Sequence, residues 1–313
     1  MPPWCCTWAA AIRAIRQPKT VGGYCSEMRP VSIEERCQEL RDVLKGTVEE
    51  ALGYVHAPSW EPVTGSEADA ELRNAEQGPA GPWGDLPVRT AYALANVGIS
   101  AVLDQLTALQ ILTEPITPAL GTTVVARSAV EIGSGVWWLM EPGIGARRRV
   151  ARCMAEEVES ALRADQAVTK LGGGLDLQEY LDQKERVRAR LDGLGLPITG
   201  GGYSPSVDGE ERPDATTLTT DCLSQVLGQA SAVVYNVYSA VAYGTQYGLM
   251  QHFVADPAHP GSLKWTSSRP VMEASVQAAL VACLVSVDRI IAVMGWDPTP
   301  WNLWKPEVGE AFP

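Results

Sequence analysis

Apolar residues recur at helical spacing through most of the chain, and sustained strand alternation does not occur. Ser32 with Glu35 makes a capping box, after which Ile33, Cys37, Leu40, Leu44, Val48, Leu52 and Val55 follow one helical face. This first helix is expected to end near His56. Residues 57–87 hold five Pro and four Gly among acidic and small residues, the composition of a long surface loop. The periodicity predicts further helices at about 88–112, 122–140, 146–170, 176–191, 217–227, 230–253 and 271–294. Pro115 and Pro118, then Pro142-Gly143, Gly172–Gly174 and a Gly/Pro stretch over 192–214 punctuate them. The tail, 296–313, combines Trp296, Trp301 and Trp304 with four Pro and is expected to pack as an extended strap. The predicted fold is all-α, an irregular bundle of seven or eight helices around a four-helix core. It is expected as one helical domain over 31–295, with a poorly ordered arm at 1–30 and the strap at 296–313. Met28 stands just before the first helix, so residues 1–27 read as an untidy arm or an upstream start.

Two polar stripes interrupt otherwise apolar helices. Arg127, Glu131, Ser134 and Trp138 follow one another at steps of four, three and four, so they share a face. Asn236, Ser239, Tyr243 and Tyr247 make a similar row on the late helix, opposite Val234, Val237 and Val241. A buried polar atom without a partner costs about 1–3 kcal/mol, so such stripes either pair or line a wet cavity. Two of them facing each other would build a pocket. Arg127 and Glu131 would be its polar anchor, with Glu131 a candidate general acid/base and Tyr243 a hydrogen-bond donor. Tyr238 would help orient the ligand, and Trp137 and Trp138 would form walls able to stabilise a cation. The bland alternative is a structural i,i+4 ion pair with tyrosines and tryptophans that simply pack. Asp104 and Asp288, each inside an apolar helix, are other candidate partners for Arg127.

Arg147, Arg148, Arg149 and Arg152 cluster at the start of a helix, where a phosphate or diphosphate could sit, although such a run is more often simply a solvated face. Glu156 and Glu159 could join metal-binding carboxylates, but a solvent face explains them better.

The composition removes several chemistries. With 25 Lys+Arg against 37 Asp+Glu the formal charge is −12, which disfavours broad nucleic-acid binding. Three His (His56, His252, His259) leave little for a His-rich metal site, and no metal or cofactor is expected. Seven scattered Cys without a CxxC pair suggest reduced thiols in a cytoplasmic protein. The apolar start lacks a basic leader, and no apolar window is flanked for insertion, so neither a secretory signal nor a membrane span is expected. The chain carries no GxSxG elbow, no ExxH pair and no glycine loop continuing into Gly-Lys-Ser/Thr.

Arg127-Ser128-Ala129-Val130-Glu131, followed by Trp137-Trp138-Leu139 and later by Tyr238-Ser239 running to Tyr243-Gly244, resembles an uncharacterised group of actinobacterial helical proteins that are distantly HEPN-like. The resemblance spans about 88–255 and implies an all-α fold. Relatives commonly hold His where this chain has Tyr243, so it does not imply RNA cleavage. Two functions are therefore expected in competition. One is a small-molecule enzyme or binder with an apolar, aromatic-lined pocket, conceivably cyclising or rearranging an isoprenoid-like or polyketide-like substrate in secondary metabolism without metal. The other is a non-catalytic HEPN-like module that binds a partner or nucleotide, with a homodimer as its expected state.

Overall fold

The computed structural model describes residues 32–56, 60–73, 76–79, 81–113, 120–170, 177–200, 205–255, 258–259, 261–265 and 269–312. The predicted N-terminal arm, the Pro115/Pro118 break and the Gly172–Gly174 stop lie outside them.

The capping box forms as the spacing requires. The Glu35 amide donates to Ser32 Oγ and the Ser32 amide to Glu35 Oε2, which starts α1 (Ile33–Val55). The proline-rich stretch is more structured than a loop: it contains a short helix, α2 (Glu67–Arg73), and a hairpin of β1 (Gln77–Gly78) and β2 (Gly81–Pro82). Then come α3 (Leu86–Leu112), α4 (Gly121–Leu139), α5 (Gly145–Lys170) and α6 (Leu177–Leu194). A small antiparallel sheet of β3 (Ile198–Thr199), β4 (Ser206–Val207) and β5 (Glu210–Glu211) occupies the second predicted loop. The chain continues through α7 (Ala215–Leu227), α8 (Ala230–Ala242), α9 (Gln246–Met250), a hairpin of β6 (Phe253–Ala255) and β7 (Leu263–Trp265), α10 (Arg269–Met294) and α11 (Thr299–Glu310). The fold is all-α, with eleven helices and three small antiparallel sheets among the described residues.

Helix α4 is the axis of the bundle. It packs along α3 on one side and α10 on the other, with α7 and α8 across a third flank. Small residues allow the close approach to α10: Ala126 and Ala129 are fully buried, Gly133 lies against Ala282, and Ser286 Oγ donates to the Gly133 carbonyl at 2.7 Å. Helix α10 buries residues around its whole circumference, as a helix apolar on all sides must. By length and composition α3 and α10 are apolar enough to cross a membrane; that apolar window is 72% buried in α10 but only 44% in α3.

Two elements differ from expectation. The helix predicted over 230–253 breaks at Gly244, which has φ 63°, a left-handed conformation that ends α8 behind Tyr243. Thr245 then caps α9, and Gly248 sits so close to the Ala240 backbone that no Cβ would fit. The tail is also a helix. Pro300 lies in the first turn of α11, where its missing N–H costs nothing, and Trp301 is fully buried with its Nε1 donating to Asp288.

Candidate functional site

One turn of α4 brings Arg127 and Glu131 together: Arg127 Nε donates to Glu131 Oε1 at 2.7 Å. The guanidinium lies over the Tyr243 ring, 4.8 Å from its centroid, and Nη2 donates to the Tyr243 hydroxyl at 3.3 Å. Tyr235 closes the group, its hydroxyl donating to the same Glu131 oxygen at 2.9 Å and its ring 5.9 Å from the guanidinium. Burial works against the Arg127 charge, but the bonds to Tyr243 and Glu131 outweigh it and raise its pKa further. Burial and Glu131 together raise the Tyr235 hydroxyl above its ordinary range. Asp104 is exposed and Asp288 binds Lys305 and Trp301, so neither is the partner of Arg127.

The row on α8 that meets α4 is Tyr235, Ser239 and Tyr243, each four residues after the last. The row predicted through Asn236 starts one residue off this face; the regular i,i+4 spacing from Tyr235 is the signal in the sequence that marks it. Asn236 is exposed, and Tyr247 falls on α9 beyond the Gly244 break. Tyr238 is fully buried and donates to the Ala274 carbonyl at 2.8 Å. Tyr243 is 74% exposed, a lid on Arg127 more than a pocket wall.

The rest of the α4 stripe packs. Ser134 is buried and donates to the Val130 carbonyl at 2.7 Å. Each tryptophan carries an arginine: Arg289 stacks on Trp137 at 3.7 Å, and Arg152 lies over Trp138 at 4.9 Å. Burial lowers Arg289 to about 10. Cys153 and Cys222 are pushed up to about 12 and about 11 by burial, so neither supplies a thiolate near neutral pH.

The four clustered arginines are all matched by carboxylates. Arg147 grips Asp208, Arg148 binds Glu210, and Arg152 binds Glu210 and Glu141. Arg149, with no exposed surface, forks onto Glu71 and Glu67 and donates to the Leu139 carbonyl at 2.7 Å. Tyr92 adds a bond to Glu71 at 2.6 Å. The helix start is thus a structural clamp holding α2 and the β3–β5 sheet to α5.

The second face of Glu131 opens on a cleft of about 330 Å³. Leu94 and Gly98 of α3 and Ile132, Val136 and Leu139 of α4 make its walls; Glu131, Glu156 and Arg212 make its polar rim. Glu131 Oε1 accepts from both Arg127 and Tyr235, and no described side chain donates to Oε2. Glu156 of α5, expected at a solvent face, instead points in beside Gly135. Arg212 Nε donates to Glu156 at 2.5 Å and lies 3.5 Å from Glu159. Burial raises the Glu156 carboxyl above its usual range, with Glu159 adding to the rise and Arg212 opposing it. The cleft is aliphatic, since its lining includes no aromatic residue among those described.

Comparison with protein-family models, curated proteins and solved structures found no match. The fold and site together define a class only: an all-α bundle with an open aliphatic cleft rimmed by carboxylates and an arginine.

Proposed function

We propose that the protein binds, and through Glu156 and Glu131 acts on, a small amphipathic molecule held in the cleft between α3, α4 and α5. The observation that carries this reading is the pairing of an aliphatic cavity with two carboxyls held in different environments. Glu131 Oε1 accepts from Arg127 and Tyr235, whereas burial favours the protonated form of Glu156. Two carboxyls in such unlike surroundings suit one as proton acceptor and the other as donor. The volume fits a small ligand, at the lower end of the usual range for such sites.

Gly135 provides the test. A Cβ there meets nothing nearer than Glu156 Oε1 at 3.8 Å, so a larger side chain projects into the cavity without striking backbone. Calorimetric titration of the full chain with hexylamine and with hexanoate is expected to show saturable binding of one of them, lost in Gly135→Leu while helicity and melting temperature are kept. Absence of binding by both probes, or binding indifferent to Gly135→Leu, overturns the cleft as the site.

A further inference from the structure

The cleft is the end of a longer groove. A space of about 850 Å³ adjoins it and shares Leu94 and Glu156 with it; its remaining lining comes from Glu157 and Ser160 of α5 and Arg186, Val187 and Arg190 of α6. A third space of about 460 Å³ shares Arg190 with the second and is lined by Trp83, Leu86, Pro87, Thr90 and Leu194. The floor throughout is one face of α3, touched in turn at Leu86, Thr90, Leu94 and Gly98. These positions recur every four residues, so they lie in line along the helix. At 1.5 Å per residue the row from Leu86 to Gly98 is roughly 18 Å long. Along this row Leu86 is exposed and Thr90, Leu94 and Gly98 are half-buried.

Charge distinguishes the two ends. At the α4 end Glu131, Glu156 and Glu159 are served from within by Arg127 and Arg212, while Arg163, the remaining partner of Glu159, has a side chain 72% exposed. At the other end the lining is Trp83, Leu86, Pro87 and Leu194, with Arg190 already bound to Glu157 at 2.8 Å.

We infer that the groove takes a linear single-chain alkylamine, its ammonium between Glu131 and Glu156 and its chain laid along α3 toward Trp83. This rests on the cleft being the ligand site. A groove of this length holds an extended chain on the order of a dozen carbons, given a C–C bond near 1.5 Å. The ammonium donates to Glu131 Oε2 and to Glu156. An anionic head finds its unengaged cation instead at Arg186, midway along the groove and exposed, which leaves half the chain without a floor.

Dodecylamine, hexylamine and dodecanoate, each below its micellar concentration, are titrated calorimetrically into the full chain, into Gly135→Leu and into Thr90→Phe. Thr90→Phe plugs the far groove from the floor without touching a carboxylate. Dodecylamine is expected to bind about tenfold or more tighter than hexylamine, because the extra methylenes leave water. Thr90→Phe is expected to remove that gain and leave hexylamine unchanged, and dodecanoate to bind at least about tenfold more weakly, since its charge meets Glu131 and Glu156. Equal affinities for the two amines, or a gain that survives Thr90→Phe, overturn the extended-chain assignment while the cleft stands. Dodecanoate binding as tightly as dodecylamine overturns the cationic head. Hexylamine binding untouched by Gly135→Leu removes the underlying site as well.

Discussion

Single residues in this protein separate by whether their charge is shared out or left over. Arg149 is the extreme of the first kind: fully buried, with its guanidinium shared among both Glu71 oxygens, Glu67 Oε1 and the Leu139 and Glu141 carbonyls. Removing one member of a buried ion pair strands the other, a cost of about 3–5 kcal/mol, whereas replacing the whole pair by apolar groups is far milder. Arg149→Met is therefore expected to lower the melting temperature by roughly 10 °C. Arg149→Met combined with Glu71→Leu should recover a large part of that loss in the same thermal scan. Recovery is what tells a clamp from an anion site, since it would not come back if Arg149 served a ligand. Gly135 gives the opposite sign. It sits within α4 with nothing in the way of a methyl group, so Gly135→Ala is expected to raise stability in urea by about 0.5–1 kcal/mol through backbone entropy alone.

At the scale of elements, the helices were legible in the sequence and their neighbours were not. The capping box of α1, the bounds of α3 to α5 and the capped start of α7 follow from local chemistry: 3.6-residue periodicity, side-chain caps and breakers. The prolines of the tail predict an extended strap, but Pro300 opens a helix, with Trp301 buried and Trp304 half-buried in places that no local pattern announces. The same limit applies to the site. Arg127 and Glu131 are joined within one helix and could be paired from their spacing, but Glu156 and Arg212 reach the cleft from α5 and from beyond β5, and only tertiary packing shows them inward. A double substitution tests the docking of α11. Trp304 covers Gly46 of α1 so closely that a Cβ there would overlap the indole, and its Nε1 donates to Thr47 at 3.1 Å. Gly46→Ala alone gains about 1 kcal/mol in helix propensity but forces the indole out at about 1–3 kcal/mol, so it should destabilise. In a Trp304→Ala background the same change should stabilise, a reversal that denaturant titrations of the four chains would read directly.

Across the whole molecule, the −12 charge is distributed so that the inner carboxylates are mostly paired, and this sets how the fold responds to acid. Burial raises Glu210, but Arg148 and Arg152 outweigh it and hold the carboxyl below its ordinary value of 4.5. A depressed carboxylate contributes stability that is present above its unfolded pKa and lost as pH falls through the folded one. Glu156 runs the other way: its raised pKa means that its contribution is present below 4.5 and lost as pH rises through the folded value. His252 adds a further contribution. It is 1% exposed against Trp265, burial holds it below 6.5, and neither ring nitrogen has a hydrogen-bond partner among the described residues. The unfolded chain takes up that proton from about pH 6.5 downward and the folded chain resists it, so the His252 contribution to stability drains away there. The melting temperature of the wild type is thus expected to begin falling near pH 6.5 and to steepen below about pH 4.5 as Glu210 joins. His252→Leu keeps an apolar side chain against Trp265 and removes both unbonded nitrogens. It should flatten the upper part of that curve, leave the lower part in place, and make the protein more stable at pH 5.5. A variant with the same upper slope as the wild type would show that His252 is reached by water or a partner when it protonates.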